Sequence, residues 1–412
     1  MSRGGDFRRV ASSLRWTLLG EVAFAGGQFG LLIAMARLGS NEALGRYALG
    51  LAIATPLFVL TSLHLRPAYV VAKAGTMDFG HVLGLRLIGA PLAVVLAAIW
   101  ATAAGLDVTT AAVVLWVALT RMSEMIADAC HASAARNESL DRVGISRALR
   151  GVALLGGVAG AMLLGAGEAT ALAVGAGVGL VLTVVYDLET ARRHATVRPR
   201  FDKDALLAMV RLTAPVGLAG GLLGLTTNTP AYVLEYTDGV APLGDYAAIV
   251  SILFISGVLN AAVGGAAVPR LARLFESDRA AFVRLLVRVG GVVAAAGLAL
   301  LGGCLVLGDL YLGLAYGPRF VGLAPALALS GGIALFAGVA NLLSQTVVAM
   351  KRFGLQFILN AAFFVAAILA AVIIVPGHGV RGALLALAVV TGVRLVTYVG
   401  VVAALTRAKA PA

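Results

Sequence analysis

Long apolar stretches recur along the whole chain and constrain its fold more than any other feature. A membrane-spanning helix needs about 20 mainly apolar residues, and twelve stretches of the 412-residue chain meet that requirement. Their approximate limits are 15–36, 44–65, 82–104, 110–133, 145–165, 169–190, 207–229, 242–266, 284–308, 321–349, 354–375 and 382–405. The links between them are too short for a folded soluble domain. We therefore predict an all-α polytopic membrane protein with about 12 transmembrane helices.

Composition excludes several other classes. Hydrophobic residues make up 60% of the chain and charged residues 13%, whereas a soluble domain has about 45–50% apolar and about 25% charged residues. A cytosolic enzyme, a disordered protein and a disulfide scaffold are thereby excluded. Cys130 and Cys304 lie in apolar segments without the spacing of a metal site, so we expect them to pack as small hydrophobic residues.

Basic residues are distributed unequally between the two sides of the predicted membrane domain. Most of the 32 Lys and Arg residues fall on the side of the N-terminus. Four fall on the opposite side, namely Arg37, Arg46, Arg319 and Arg381. Cytoplasmic loops are the basic ones, so this asymmetry predicts a multi-pass protein with both termini in the cytoplasm. The net charge of +12 is then expected to meet anionic membrane lipids, not nucleic acid.

The two halves of the chain share short motifs at equivalent positions. Leu-Gly-Arg-Tyr-Ala at 44–48 opens span two, and Leu-Gly-Asp-Tyr-Ala at 243–247 opens span eight. Six spans in each half place both halves in the membrane in the same direction, so a pseudo-two-fold axis would run along the membrane normal. We predict an N-lobe over 1–200 (spans one to six) and a C-lobe over 201–412 (spans seven to twelve). Two such lobes can rock to open a shared cleft to either side.

Several motifs resemble those of bacterial polysaccharide-export flippases. They are Ala-Arg-Leu-Gly at 36–39 followed by 44–48, Tyr-Gly-Pro-Arg-Phe at 316–320 with Ala324-Pro325, and Gly-Val-Arg-Gly-Ala at 379–383. The chain thus resembles the polysaccharide branch of the multidrug/oligosaccharidyl-lipid/polysaccharide exporter superfamily over almost its whole length. The resemblance implies twelve helices in two lobes around a central cavity. It also implies transport of an undecaprenyl-diphosphate-linked sugar repeat to the periplasmic leaflet for assembly of O-antigen, capsule or exopolysaccharide, in the bacterial inner membrane.

A polytopic membrane protein of this size has two other candidate functions, small-molecule export and membrane-bound catalysis. An ion-coupled small-molecule or multidrug exporter of the same superfamily has the same architecture, although arginines in the membrane would repel a cationic drug. A membrane polymerase or glycosyltransferase is expected to carry catalytic groups on a large outer loop, and the outer loops here are short, so we predict no enzymatic activity. The chain has no Walker motif. We expect no cofactor beyond a coupling H⁺ or Na⁺, and the partners expected are the lipid-linked oligosaccharide, a polysaccharide polymerase and glycosyltransferases.

Polar side chains inside the predicted spans are the candidate site residues, because a charge in mid-membrane costs about 2.5–3.5 kcal/mol. They are Glu21, Gln28, Arg66, Arg121, Glu124, Asp128 and Arg394. Glu21 and Gln28 share one face of span one, and the charged residues of span four form one stripe. The arginines can bind a diphosphate bidentately, so we predict that Arg66, Arg121, Arg394, Glu21 and Gln28 line a substrate cavity.

Glu124 and Asp128 are the candidates for ion coupling, either by pairing with the arginines in the empty state or by carrying a proton or Na⁺. Two structural interpretations remain open. Arg121 and Glu124 can simply neutralise each other along the helix, and Arg66, Glu21 and Asp128 can extend to the head groups. For the uncharged Asn228, Asn260, Asn341, Gln345 and Asn360 we expect helix–helix hydrogen bonds rather than sugar contacts.

Overall fold

Twelve membrane-length helical segments make up the part of the chain that the structure describes. This computed structural model describes residues 3–72 and 77–407, with side chains described from residue 15 onward. The predicted cytoplasmic residues Lys73 and Lys409 lie outside the described residues. The twelve segments that are long and apolar enough to cross a membrane agree in number with the prediction, and the all-α polytopic fold is confirmed.

The N-terminal helices follow the predicted spans closely. They are α1 (Arg3–Leu38), α2 (Asn41–Ser62), α3 (Leu65–Val71), α4 (Phe79–Ala103), α5 (Val108–Arg136), α6 (Leu140–Leu163), α7 (Glu168–Leu182) and α8 (Leu188–Arg192). The second span consists of α2 and α3, and the sixth consists of α7, a π-helical turn over Thr183–Asp187, and α8. Side chains cap several of these helices, for example Ser40 for α2 and Asp107 for α5.

The first three C-terminal helices are longer than the apolar stretches predicted for them. The C-terminal helices are α9 (Lys203–Asp238), α10 (Val240–Ser277), α11 (Arg279–Ala315), α12 (Ala324–Ala349), α13 (Phe353–Ile374) and α14 (Gly379–Arg407), with a 3₁₀ turn at Pro318–Phe320. Helices α9 to α11 each exceed 35 residues, well beyond the predicted limits 207–229, 242–266 and 284–308. Helical hydrogen bonding continues through charged residues such as Arg270 and Arg273, which lie beyond the apolar stretch that hydropathy identifies.

The chain divides into two compact units, Met1–Gly224 (the N-terminal unit) and Leu225–Ala412 (the C-terminal unit). The boundary therefore falls inside α9, whereas the predicted lobes were divided at the preceding loop. The first half of α9 belongs to the N-terminal unit because its glycines allow close contact with the second span. A Cβ on Gly217 would lie 2.5 Å from the Leu63 Cα, and one on Gly221 would lie 2.2 Å from the Leu60 Cγ.

Helices α1 and α6 pack closely within the N-terminal unit, and pairs of glycines permit this at two positions along the helices. A Cβ on Gly20 would lie 2.3 Å from the Gly144 carbonyl oxygen, and a Cβ on Gly27 would lie 2.3 Å from that of Gly151. Small residues let membrane helices approach to backbone contact. This packing places the polar residues of α1 beside those of α5 and α6.

Candidate functional site

A cavity of about 250 Å³ lies inside the N-terminal unit. Its charged and polar lining is Thr55, Ser62, Arg86, Arg121, Glu124, Asp128, His131, Arg147 and Arg150, and its apolar lining includes Phe24, Phe58 and Met125. These residues come from the middle of α1, the C-terminal half of α2, the middle and C-terminal half of α5, and the N-terminal halves of α4 and α6. Since consecutive spans run in opposite directions, these helix halves lie on the side of the N-terminus.

Asp128 binds two arginines at once. One carboxylate oxygen lies 3.2 Å from Nη1 of Arg66, and the other lies 2.8 Å from Nη2 of Arg86. The Arg86 side chain is 2% exposed, whereas Arg66 and Asp128 are about a quarter exposed. The predicted candidates Arg66 and Asp128 are therefore partners within the protein, with Arg66 still accessible.

A break in the second span positions both of these arginines. Leu63 and His64 adopt left-handed backbone conformations (φ 51° for each), which are unusual outside glycine. The break ends α2, and Arg86 Nη1 donates to the Ser62 carbonyl oxygen there at 3.1 Å. Arg66 lies just beyond the break, where Pro67 occupies the first turn of α3 and needs no amide partner.

Arg121, Glu124 and Gln28 form a triad that joins α5 to α1. Arg121 Nη1 donates to Glu124 Oε2 at 2.6 Å, and Gln28 Nε2 donates to Glu124 Oε1 at 3.0 Å. Arg121 Nη2 also donates to Gln28 Oε1 at 3.4 Å. Arg121 and Glu124 thus do neutralise each other along the helix, but they do so inside the lining of the cavity. Gln28 and Arg121 also line a smaller adjoining pocket, with Tyr47 and Thr120.

Glu21 pairs with an arginine of α6 instead of one from α5. Arg147 Nη1 lies 2.9 Å from Glu21 Oε2, and the Arg147 guanidinium carbon lies 5.1 Å from the centroid of the Phe24 ring, as in a cation–π contact. Glu21 itself does not line the cavity, but its partner does.

The most buried charges of the unit were not predicted as site residues. Arg150 Nη2 lies 2.8 Å from Asp187 Oδ2, with side chains 2% and 1% exposed. Arg150 also donates to Ser123 Oγ at 3.0 Å and to Thr183 Oγ1 at 2.9 Å. His131 Nε2 lies 3.2 Å from Asp187 Oδ1, which also accepts from Ser146. The π-helical turn carries both Thr183 and Asp187 to Arg150, and such turns are frequent at functional sites.

Arg86, Arg147 and Arg150 lie inside the predicted spans but near their ends, so the sequence places them among the basic residues on the side of the N-terminus and not among the site candidates. The signal that identifies them is available in the sequence. Arg147 and Arg150 are three residues apart and therefore share a helix face, and Arg86 falls within the predicted span 82–104.

The cluster carries more positive than negative charge. Its arginines are Arg66, Arg86, Arg121, Arg147 and Arg150, and its carboxylates are Glu21, Glu124, Asp128 and Asp187. Five guanidinium groups thus face four carboxylates, and three of them are more than a fifth exposed, namely Arg66, Arg121 and Arg147. Such a site can bind an anion through charge-assisted, bidentate hydrogen bonds. Its volume is below the roughly 300–1,000 Å³ typical of drug-sized ligands, which fits a compact head group better than a whole oligosaccharide.

Arg394 is the one predicted candidate that lies in the C-terminal unit. It is 2% exposed and donates from Nη2 to Asn341 Oδ1 at 2.9 Å. Tyr398, one turn further along α14, donates to Asn360 Oδ1 at 3.0 Å. Asn341 and Asn360 thus make the helix–helix hydrogen bonds that were expected of uncharged polar residues in the spans.

Comparisons with known proteins identify relatives in sequence and in fold. No family model matches the chain. It is 22% identical over 404 residues to the capsular polysaccharide biosynthesis protein CapF of Staphylococcus aureus, covering 94% of this chain and 98% of the relative. Among solved structures, it is similar to an inward-facing multidrug resistance MATE family transporter of the MOP superfamily (TM-score 0.71, 12% identity, 96% of this chain and 100% of the other). It is equally similar to the inward closed conformation of the lipid II flippase MurJ (TM-score 0.71, 14% identity, 94% and 87%).

These similarities define the fold class, which is a multi-pass membrane protein whose described residues form twelve candidate spans in the two-lobe fold of MATE transporters and MurJ. The resemblance to the multidrug/oligosaccharidyl-lipid/polysaccharide exporter (MOP) superfamily that the sequence predicted is confirmed by these similarities, and the similarity to a capsular polysaccharide biosynthesis protein agrees with the polysaccharide branch.

Proposed function

We propose that the chain flips an undecaprenyl-diphosphate-linked oligosaccharide repeat unit from the cytoplasmic to the periplasmic leaflet by alternating access. The product would serve O-antigen, capsule or exopolysaccharide assembly, and the chain itself would catalyse no reaction. The observation that supports this proposal most is the excess of arginine over carboxylate around the cavity of the N-terminal unit. A diphosphate is the anionic part of that substrate class.

The charge of the cavity favours a flippase over a multidrug exporter, whereas the similarity in fold does not distinguish the two. Multidrug transporters and a lipid II flippase are equally similar to this chain in fold. A cationic drug entering the cavity would meet the accessible guanidinium groups of Arg121 and Arg147, whereas a diphosphate would be attracted by them. The curated relative named for capsular polysaccharide biosynthesis supports the same choice.

In this proposal the carboxylates hold the arginines in place until the substrate arrives. Asp128 and Glu124 each accept from at least one arginine, so a phosphate oxygen would replace a carboxylate oxygen without leaving a guanidinium unpaired. Glu124 and Asp128 remain our candidates for coupling to H⁺ or Na⁺, because a carboxylate released from its arginine is free to bind either cation. The expected location is the bacterial cytoplasmic membrane, with polysaccharide polymerase and glycosyltransferases as partners.

Binding of prenyl probes to the purified protein tests this proposal. Farnesyl diphosphate should bind at least about tenfold more tightly than farnesol, since a charge-assisted hydrogen bond contributes about 1.5–3 kcal/mol. Arg66→Gln and Arg147→Gln should weaken diphosphate binding. The matched control is Arg192→Gln, because Arg192 is an exposed residue of the same unit that pairs with Glu189 away from the cavity.

Reconstitution into vesicles then tests movement between leaflets. Vesicles containing the protein should translocate a fluorescent undecaprenyl-diphosphate-linked sugar, and the Arg66→Gln variant should translocate it more slowly. Preference for a prenyl ammonium over the diphosphate, or full diphosphate binding in both arginine variants, would contradict the proposal and favour the small-molecule exporter.

A further inference from the structure

Arg394 is a buried charge in the middle of a membrane-spanning helix. It lies near the centre of α14 (Gly379–Arg407) and is 2% exposed. Its Nη2 donates to Asn341 Oδ1 at 2.9 Å, and its buried Nε has no hydrogen-bond partner. A charge at this depth is costly, and such residues normally pair with an opposite charge.

No carboxylate compensates Arg394. Among the described residues, no Asp or Glu lies within ion-pair distance of it, whereas each of the five clustered arginines in the N-terminal unit has a carboxylate partner. The sequence explains this difference, because residues 310–412 contain no Asp or Glu. Helices α12, α13 and α14 therefore have no acidic side chain to offer.

The polar groups around Arg394 are neutral. Gln356 Nε2 donates to Ser344 Oγ at 2.7 Å and to Tyr398 Oη at 3.1 Å, and Tyr398 donates to Asn360. Asn341 presents its amide oxygen to the guanidinium, which leaves the amide NH₂ of the same side chain as a further donor beside it. These hydrogen bonds join α12, α13 and α14 but supply no negative charge to balance Arg394.

Arg394 cannot become neutral by losing a proton, because an arginine guanidinium stays charged in proteins. An uncompensated buried charge is strongly destabilising, so the charge must be balanced from outside the chain. One guanidinium balances one negative charge. We propose that Arg394 and Asn341 form a binding site for one small monovalent anion, with chloride as the physiological ligand. This proposal does not depend on the proposed flippase function.

Thermal unfolding of the purified protein in detergent tests the site. At constant ionic strength, chloride or bromide in place of gluconate should raise the melting temperature by several degrees and should do so saturably, because a ligand that binds the folded state stabilises it. Arg394→Gln removes the charge and should abolish the difference between chloride and gluconate. In a crystal grown in bromide, anomalous scattering should place one bromide beside Arg394.

Asn341→Asp is the matched variant that supplies the missing charge from within the chain. It should make the protein insensitive to chloride and should raise its melting temperature in gluconate above that of the parent. This variant keeps the proposal testable if Arg394→Gln does not fold. A parent protein indifferent to chloride, or chloride stabilisation that persists in either variant, would overturn the site.

A second experiment tests whether the anion at Arg394 is chloride or the diphosphate head group of a substrate. Farnesyl diphosphate added in gluconate buffer should not substitute for chloride at Arg394. If it stabilises the parent but not Arg394→Gln, and chloride does not, the substrate head group provides the counter-ion and the chloride site is wrong. Failure of this proposal would leave farnesyl diphosphate binding by Arg66 and Arg147 unaffected, so the two proposals fail separately.

Discussion

Arg150 and Asp187 form an ion pair 2.8 Å long whose two side chains are almost completely buried. Breaking such a pair is costly because the remaining charge keeps its desolvation penalty. We predict that Asp187→Asn lowers the free energy of unfolding by about 3–5 kcal/mol. Thermal or denaturant unfolding in detergent measures this. Glu189→Gln is the control, since it breaks the exposed Arg192–Glu189 pair and should cost about 0–1 kcal/mol. Equal effects of the two changes would contradict the assignment of Asp187 as the essential counter-ion of Arg150.

The second prediction concerns the carboxylate that Arg66 and Arg86 share. Asp128→Asn leaves three carboxylates against the five arginines of the cluster, so the cavity becomes more positive. We predict tighter binding of farnesyl diphosphate together with a lower melting temperature, because Arg86 is buried and loses its counter-ion. Titration with the probe and thermal unfolding measure the two effects. Unchanged or weaker binding in Asp128→Asn would argue against an anion site at this position.

The sequence predicted the stripe on α5 but not the residues around it. Arg121 and Glu124 are far from the ends of their predicted span, where charge is costly enough to be noticed, and Asp128 shares their helix face. Arg86, Arg147 and Arg150 lie close to span ends, where a long side chain can reach the head groups at little cost. Whether such a side chain turns inward depends on the helices packed beside it. Arg150 turns inward because Asp187, 37 residues away, lies opposite it, and no local pattern encodes that contact.

The number of spans was predictable because each span needs its own apolar stretch, whereas the ends of the helices were not. Hydropathy locates the part of a helix inside hydrocarbon, but α10 continues as a helix past Arg270 and Arg273 to Ser277. The break at Leu63 and His64 was also not predicted. It depends on the contact with Gly217, which no residue with a side chain would allow.

The third prediction addresses export in cells. Arg121 contacts both Glu124 and Gln28, so Arg121→Ala removes a guanidinium from the cavity and one of the two hydrogen bonds by which the triad joins α5 to α1. We predict that the variant fails to deliver the lipid-linked repeat unit to the outer leaflet, as measured by lipid analysis and surface glycan. Arg192→Ala at matched protein level should export normally. Normal glycan export by the Arg121→Ala variant would remove Arg121 from the proposed site.

The fourth prediction is a pH dependence at the cap of α5, outside the membrane-spanning segments. Asp107 accepts from Thr110 through its hydroxyl and backbone N–H and from the Thr109 N–H. The hydrogen bond from the Thr110 side chain is the main cause that lowers the pKa of Asp107. A lowered folded-state pKa means that this stabilisation is present above the ordinary Asp pKa of about 3.9 and is lost as the pH falls through the folded value.

Asp107→Ala should therefore cost about 1 kcal/mol at neutral pH and progressively less at acidic pH. Asp107→Asn keeps a side-chain oxygen for the cap without a titrating group, so it should retain most of the stability at neutral pH and show less acid sensitivity. Melting temperatures of the three proteins between neutral and acidic pH measure both effects. A pH-independent difference between the parent and Asp107→Ala would show that the carboxylate charge is irrelevant to the cap.

The last prediction is the orientation of the chain in the membrane. Arg86, Arg147 and Arg150 of the cavity lie in the halves of their helices on the side of the N-terminus, so a substrate made in the cytoplasm reaches them directly only if that side is cytoplasmic. The excess of basic residues on the same side predicts this orientation. Alkaline phosphatase fused after residue 406 should be inactive, and phosphatase fused after residue 166, in the link between the fifth and sixth spans, should be active. The reverse pattern would place the cavity arginines on the periplasmic side and would exclude them as the site that first binds the lipid diphosphate.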